Sequence, residues 1–201
     1  MDLISKLSFI WKGTDHPFLI HEEATLKFND IVEQSPINLR EIRKGDVVAL
    51  IGDFDPSSIL TLLRLIDIGA IIVTLTQNTI KYHEYFFKSA LVDIVIKNGT
   101  VRRRNHTNKH ELINTLREKG HAGLVLFSTG TTGNPKAILH DLNLFLKRFE
   151  TPRPALRTLN FLLFDHIGGL NTLFHTLFNK GVVIAPKTRT IESILEICIK
   201  H

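Results

Sequence analysis

One cysteine, Cys198, stands in 201 residues, so the chain closes no internal disulfide and builds no cysteine metal cluster. That scarcity points to a reducing compartment, and a cytoplasmic protein is expected. No long apolar run exists either. The longest, Leu65 to Leu75, is interrupted by Asp67 and Gly69 and is too short to span a bilayer. Lys6 breaks the start of the chain before a signal-peptide core develops. There is no HExxH, no GxSxG, no internal repeat and no low-complexity tail. These absences argue against a zinc protease, a serine hydrolase of the nucleophile-elbow type and a repeat protein.

What is present is ordinary in amount. Hydrophobic residues make up 43% and charged residues 22%, which suits a soluble globular chain with a sizeable core. The net charge of +5 leaves nucleotides and other polyanions possible as partners but selects none. Arg102-Arg103-Arg104 is a basic run without interleaved aromatic residues, so it reads as a solvated segment and not as a nucleic-acid surface. His106 and His110 are four apart, but no third ligand accompanies them.

Periodicity gives the class. Val47–Ile51 is a continuous apolar run, read as a buried strand. Asp55-Pro56-Ser57 then starts a helix that Gly69 ends, and Ala70 to Leu75 is the next strand. A helix over about 81–90 and a strand over 92–96 follow, and Lys97–Gly120 is a polar break. Beyond it come a strand at 124–127, a helix near 141–149, a strand-like run at 159–164, a helix at 171–178, a strand at 182–185 and a last helix after Thr190. That last helix sets Ile191, Ile194, Leu195 and Cys198 on one face. The alternation predicts an α/β fold with mostly parallel sheets. The polar break divides it into a first α/β subdomain, 1–100, and an incomplete second one, 101–201.

The chemistry concentrates at Ser128-Thr129-Gly130-Thr131-Thr132-Gly133-Asn134-Pro135-Lys136, directly after the apolar run. Four hydroxyls, two glycines and a lysine in nine residues suit an anion. The glycines let main-chain N–H groups converge, the hydroxyls add neutral donors, and Lys136 supplies a mobile charge. A polar turn would use many of the same residues. The loop is not GxxxxGK[ST], because Pro135 stands at the second glycine position and Ala137 follows the lysine. A second candidate is Asp165-His166-Ile167-Gly168-Gly169 after the 159–164 run. A histidine there is commonly a hydrogen-bonded strand end, but two glycines allow close backbone approach. Ligands of such sheets sit beyond the strands' carboxyl ends, so the two segments are expected to share a crevice.

Ser128–Lys136, with Val125 before it, resembles the signature loop of the adenylate-forming (AMP-binding) superfamily at every position of the family's pattern. His166-Ile167-Gly168-Gly169 resembles the acyl-pocket element of its acyl- and aryl-CoA synthetases, with Asp165 where those enzymes usually carry an aromatic or apolar residue. The resemblance implies an ATP-dependent ligase that forms an acyl-adenylate from a carboxylic acid and then a thioester with CoA or a carrier protein. It implies that Ser128, Thr129, Gly130, Thr131, Thr132, Gly133 and Lys136 hold the β/γ-phosphates. His166, Gly168 and Gly169 would border the acyl group, with His166 and Lys136 as the catalytic candidates. Mg2+ is implied as well, its carboxylate ligand coming from later elements. Those elements have no counterpart in the chain: the aromatic-Gly-Thr-Glu segment, the ribose-binding Asp, the hinge and the small domain with its lysine. The expectation is an amino-terminal portion, inactive alone. The alternative is a non-catalytic nucleotide-binding module or subunit that needs a partner chain or a second copy.

Overall fold

In a computed structural model, the described residues are 2–34, 37–105, 109–128 and 134–201. The organising unit is the predicted one. Strand β3 (Val47–Ile51) leads to helix α3 (Pro56–Ile68) and to strand β4 (Ile71–Leu75), and β3 and β4 pair in parallel from Val47↔Ile71 to Ile51↔Leu75. Asp55 caps α3 by accepting from the Ser58 amide at 2.9 Å, and Pro56 fills the first turn, where no amide partner is needed. Gly69 ends it at φ 81°, with its amide on the Ile66 carbonyl.

Every residue of β3 and β4 is buried because both faces of the sheet are covered. Val48, Leu50 and Ile72 face one core, shared with α3 and with helices α1 (Leu3–Trp11), α2 (Phe28–Val32) and α7 (Ile167–Phe178). Val47, Ala49, Ile51, Ile71, Val73 and Leu75 face the other, under helices α4 (His83–Ser89) and α5 (Glu111–Lys119). Helix α1 was not foreseen. Its Leu3, Leu7 and Trp11 are buried, Trp11 Nε1 donates to the Leu177 carbonyl at 2.8 Å, and Asp67 accepts the amides of Leu3 and Ile4.

Two sheets result. The six-stranded sheet has the order β6-β5-β3-β4-β7-β8, with β5 (Ile94–Lys97), β6 (Thr100–Arg103), β7 (Gly123–Ser128) and β8 (Lys136–Asp141). Its four inner strands are parallel, and both edge strands return antiparallel. The four-stranded sheet has the order β2-β1-β10-β9, with β1 (Leu19–His21), β2 (Ala24–Leu26), β9 (Arg157–Leu159) and β10 (Val182–Ala185). These sheets divide the chain differently from a cut at residue 100. The six-stranded sheet runs across that point through β5 and β6, and the four-stranded sheet joins residues 19–26 to residues 157–185.

Several elements depart from their predicted bounds. The polar break contains β6, an edge strand that needs main-chain pairing but little apolar content. The strand expected at 159–164 is only Arg157–Leu159, since the backbone leaves the sheet at Asn160. Helix α7 begins at Ile167, so Gly168 and Gly169 lie in its first turn. Helix α6 (Leu142–Lys147) and helix α8 (Ile191–Lys200) fall where expected, but α8 buries none of its residues.

Candidate functional site

Strand β7 carries the first half of the site to the sheet's carboxyl edge. Leu124 and Leu126 enter one core and Val125 the other, and the strand emerges at the half-buried Phe127 and Ser128. Residues 129–133 lie outside the described residues, and with them Thr129, Gly130, Thr131, Thr132 and Gly133. The described residues continue from Asn134. Lys136 was expected inside the loop, but it is the first residue of β8 and is the cross-strand partner of Ser128. Its side chain is exposed, and among the described residues it makes no ion pair. Sequence could not separate a loop lysine from a strand lysine here, because β8 is an edge strand with exposed Ala137 and Ile138.

The second half is tied to the end of the neighbouring strand, β4. Strand β4 pairs in parallel with β7 as far as Val73↔Val125; three residues further, Ser128 ends β7 and Thr76 lies just past the end of β4. Thr76 donates its hydroxyl to the Asp165 carboxylate at 3.2 Å, and the Thr79 hydroxyl, which donates to the Thr76 carbonyl at 3.0 Å, lies 3.4 Å from the same carboxylate. The corner before α7 is therefore fastened to the end of β4. Burial pushes the Asp165 carboxyl above its ordinary range, against the pull of the two threonine hydroxyls. His83 sits beneath, its Nε2 3.0 Å from the Thr76 carbonyl, and burial holds its imidazole below the ordinary value.

His166 is exposed and caps α7, its Nδ1 accepting the Gly168 amide at 3.0 Å. An Nδ1 that accepts leaves the proton of the neutral ring on Nε2. The glycines serve packing as much as approach by a ligand. A Cβ on Gly169 would sit 2.7 Å from the Leu163 carbonyl and 2.9 Å from the Phe54 ring. One on Gly168 would sit 2.6 Å from Leu162 and 3.1 Å from the His166 ring.

Two residues that sequence reading passed over brace the same corner. Arg189 grips Asp53 through paired bonds of 2.7 and 2.6 Å and donates from Nε to the Phe161 carbonyl at 2.9 Å. The available signal was Asp53, a carboxylate two residues past a fully buried strand; its partner lies 136 residues away. The remaining candidates take structural roles. Arg104 makes paired bonds to Glu84, Arg103 reaches the Glu41 carbonyl, and His110 caps α5; His106 lies outside the described residues. Among the described residues no group of three or more His, Cys, Asp or Glu side chains is placed to hold a metal ion. A cleft of about 820 Å³ lies elsewhere, near the C-terminal end of α3, lined in part by Arg40, Arg64 and Asp67.

No protein-family model matches the sequence, and no curated protein sequence matches it. Solved structures do. The chain is similar to the NpsA N-terminal subdomain of Klebsiella oxytoca, with a TM-score of 0.75 and 18% identity over 99% of this chain and 59% of that one. It is similar to an artificially fused adenylation–PCP di-domain, NpsA-ThdA, from the same organism, with a TM-score of 0.71 and 19% identity over 96% of this chain and 44% of that one. It is also similar to O-succinylbenzoate Coenzyme A synthetase (MenE) of Bacillus subtilis in complex with AMP, with a TM-score of 0.68 and 15% identity over 98% of this chain and 58% of that one. The chain thus spans three-fifths or less of the length of these structures. Its mixed α/β architecture, with two mostly parallel sheets, is the fold of the N-terminal subdomain of adenylate-forming enzymes.

Proposed function

We propose that the chain is the amino-terminal part of an ATP-dependent ligase that adenylates a carboxylic acid and passes the acyl group to a thiol of CoA or of a carrier protein. The observation that carries this reading is the register of β7 and β8. It makes Ser128 and Lys136, the two ends of the hydroxyl-rich loop, cross-strand partners at the carboxyl edge where Thr76 fastens Asp165, the residue before His166. The fold is that of a subdomain whose relatives include MenE, solved with AMP, and an adenylation domain fused to PCP.

In the reaction, a carboxylate oxygen of the acid bonds to the α-phosphorus of ATP, and the bond from that phosphorus to the bridging oxygen of pyrophosphate breaks. Negative charge builds on the departing β- and γ-phosphates, so donors fixed in advance lower the barrier. Ser128, Thr129, Thr131 and Thr132, with main-chain N–H groups freed by Gly130 and Gly133, would bind those phosphates, and Lys136 would add its charge. His166, holding its proton on Nε2, would line the wall between acyl group and nucleotide at the start of the Gly168-Gly169 turn of α7. Mg2+ belongs to this chemistry. No cluster among the described residues fits it, so no metal-dependent step is assigned to this chain.

A second reading, a nucleotide-binding subunit completed by a partner chain, is favoured by the uncovered apolar face of α8, where Ile191, Leu195 and Ile199 are exposed. Both readings predict that the 201-residue chain binds ATP weakly and catalyses no carboxylate-dependent ATP–pyrophosphate exchange. Exchange by the purified chain would overturn the incompleteness. No helix among the described residues is long and apolar enough to cross a membrane, and a cytoplasmic setting is part of the proposal.

A further inference from the structure

The segment from Thr76 to Phe86 touches the site at three points. Each time it meets the residue just before one assigned a role. Phe86 stacks on Phe127 with ring centres 4.0 Å apart, and Phe127 precedes Ser128. The Tyr85 hydroxyl donates to the Pro135 carbonyl at 2.9 Å, and Pro135 precedes Lys136. Thr76 donates to the Asp165 carboxylate at 3.2 Å, the Thr79 hydroxyl bonds the Thr76 carbonyl at 3.0 Å and lies 3.4 Å from that carboxylate, and Asp165 precedes His166. The segment is itself tied together, because His83 Nε2 lies 3.0 Å from the Thr76 carbonyl and 3.4 Å from the Thr79 hydroxyl.

Contacts one residue upstream of a functional group fix where its backbone starts without meeting its ligand. Small errors in that placement are expensive in binding and catalysis. We propose that Thr76–Phe86 is a positioning brace, in which Tyr85 sets the placement of Lys136, and Thr76, held by Thr79, that of His166. The ligand-binding consequence rests on the phosphate reading of Lys136. The brace itself rests only on geometry. Tyr85 is 37% exposed, and its hydroxyl bond lies at the surface, where such a bond adds little to global stability. Its effect should therefore be local, which separates positioning from support of the fold.

The variants are Tyr85→Phe, which keeps the ring beside Phe86 and deletes only the hydroxyl, and Thr79→Val. Amide hydrogen exchange of the ligand-free protein is one readout. ATP affinity by calorimetry for wild type, Y85F, K136A and the double variant is the other. The brace predicts exchange at residues 134–137 faster by about threefold or more in Y85F, and likewise at 165–168 in T79V. Residues 123–125 should be unchanged in both. It also predicts ATP binding about fivefold weaker in Y85F, a loss that vanishes once Lys136 is Ala. Unchanged exchange in both segments overturns the brace, as does a Y85F loss of equal size with and without Lys136. Absence of ATP binding by the wild type removes the phosphate reading instead, and the exchange result then decides the brace alone.

Discussion

The two halves of the candidate site are held by different forces. Ser128 and Lys136 are paired by main chain, through an antiparallel ladder that runs from Ser128↔Lys136 to Gly123↔Asp141, and the Phe86 ring and Tyr85 hydroxyl touch only the residue before each. Asp165 and His166 are placed by side chains: two threonine hydroxyls beside Asp165, the Asp53–Arg189 pair, the Phe54 ring against Phe164 and the His166 cap. A ladder tolerates changes of side chain, because every residue but proline offers the same donor and acceptor. A side-chain network does not tolerate them. Loss of one partner leaves the other desolvated and unpaired. The side chains of the Lys136 half are therefore free to vary at little structural cost, whereas the His166 half is committed to its framework.

Breaking the second half should cost the most. Phe54 is 1% exposed, meets Phe164 edge-on at 5.2 Å and lies under Gly169. Phe54→Ala is expected to destabilise by about 3–5 kcal/mol in urea unfolding. A loss below 1 kcal/mol would mean that the corner is not built on that ring. Asp53→Asn comes next, because an amide cannot accept both Arg189 bonds. About 1–2 kcal/mol is expected, the pair being only partly buried. If D53N matched the wild type, the paired geometry would contribute nothing to the corner.

His83 sharpens the comparison through pH. Its imidazole is held below the ordinary 6.5 by burial, so the unfolded chain takes up a proton before the folded one does. The stability it supports is fully present above pH 6.5 and is lost as pH falls through 6.5 toward the folded value. His83→Gln should remove that slope, read as unfolding free energy against pH just below 6.5. A slope unchanged in H83Q would assign the acid sensitivity to other groups. Asp165 works in the opposite sense. Its raised carboxyl weakens the fold as pH climbs above the ordinary 3.8, so Asp165→Asn should flatten the profile there.

The same division decides what could be read in the sequence. The β3-α3-β4 unit was legible because its signals are local: two buried apolar runs, Asp55-Pro56 at the helix start and Gly69 at its end. The loop residues were legible as a motif because hydroxyls, glycines and a lysine fall within nine positions. Edge strands β6 and β8 were not, since pairing with one neighbour holds them and Arg102, Arg103 and Lys136 face solvent at no cost. Nor was the start of α7. Gly168 and Gly169 have poor helix propensity and read as a turn, and the crowding that demands glycine comes from Leu163 and Phe54 in other segments. Asp53 and Arg189 could not be paired from sequence at 136 residues apart.

The smallest structural effect belongs to Lys136, and it carries the largest functional claim. Lys136→Ala should change unfolding free energy by less than about 0.5 kcal/mol, because its side chain is exposed on an edge strand. Titration of ATP into wild type and K136A, with thermal unfolding of both, is the most direct test. Saturable binding by the wild type is expected, with affinity about tenfold weaker in K136A and coincident unfolding curves. Equal affinity in the two proteins, or no saturable binding by a folded wild type, would contradict the assignment of this edge to phosphate.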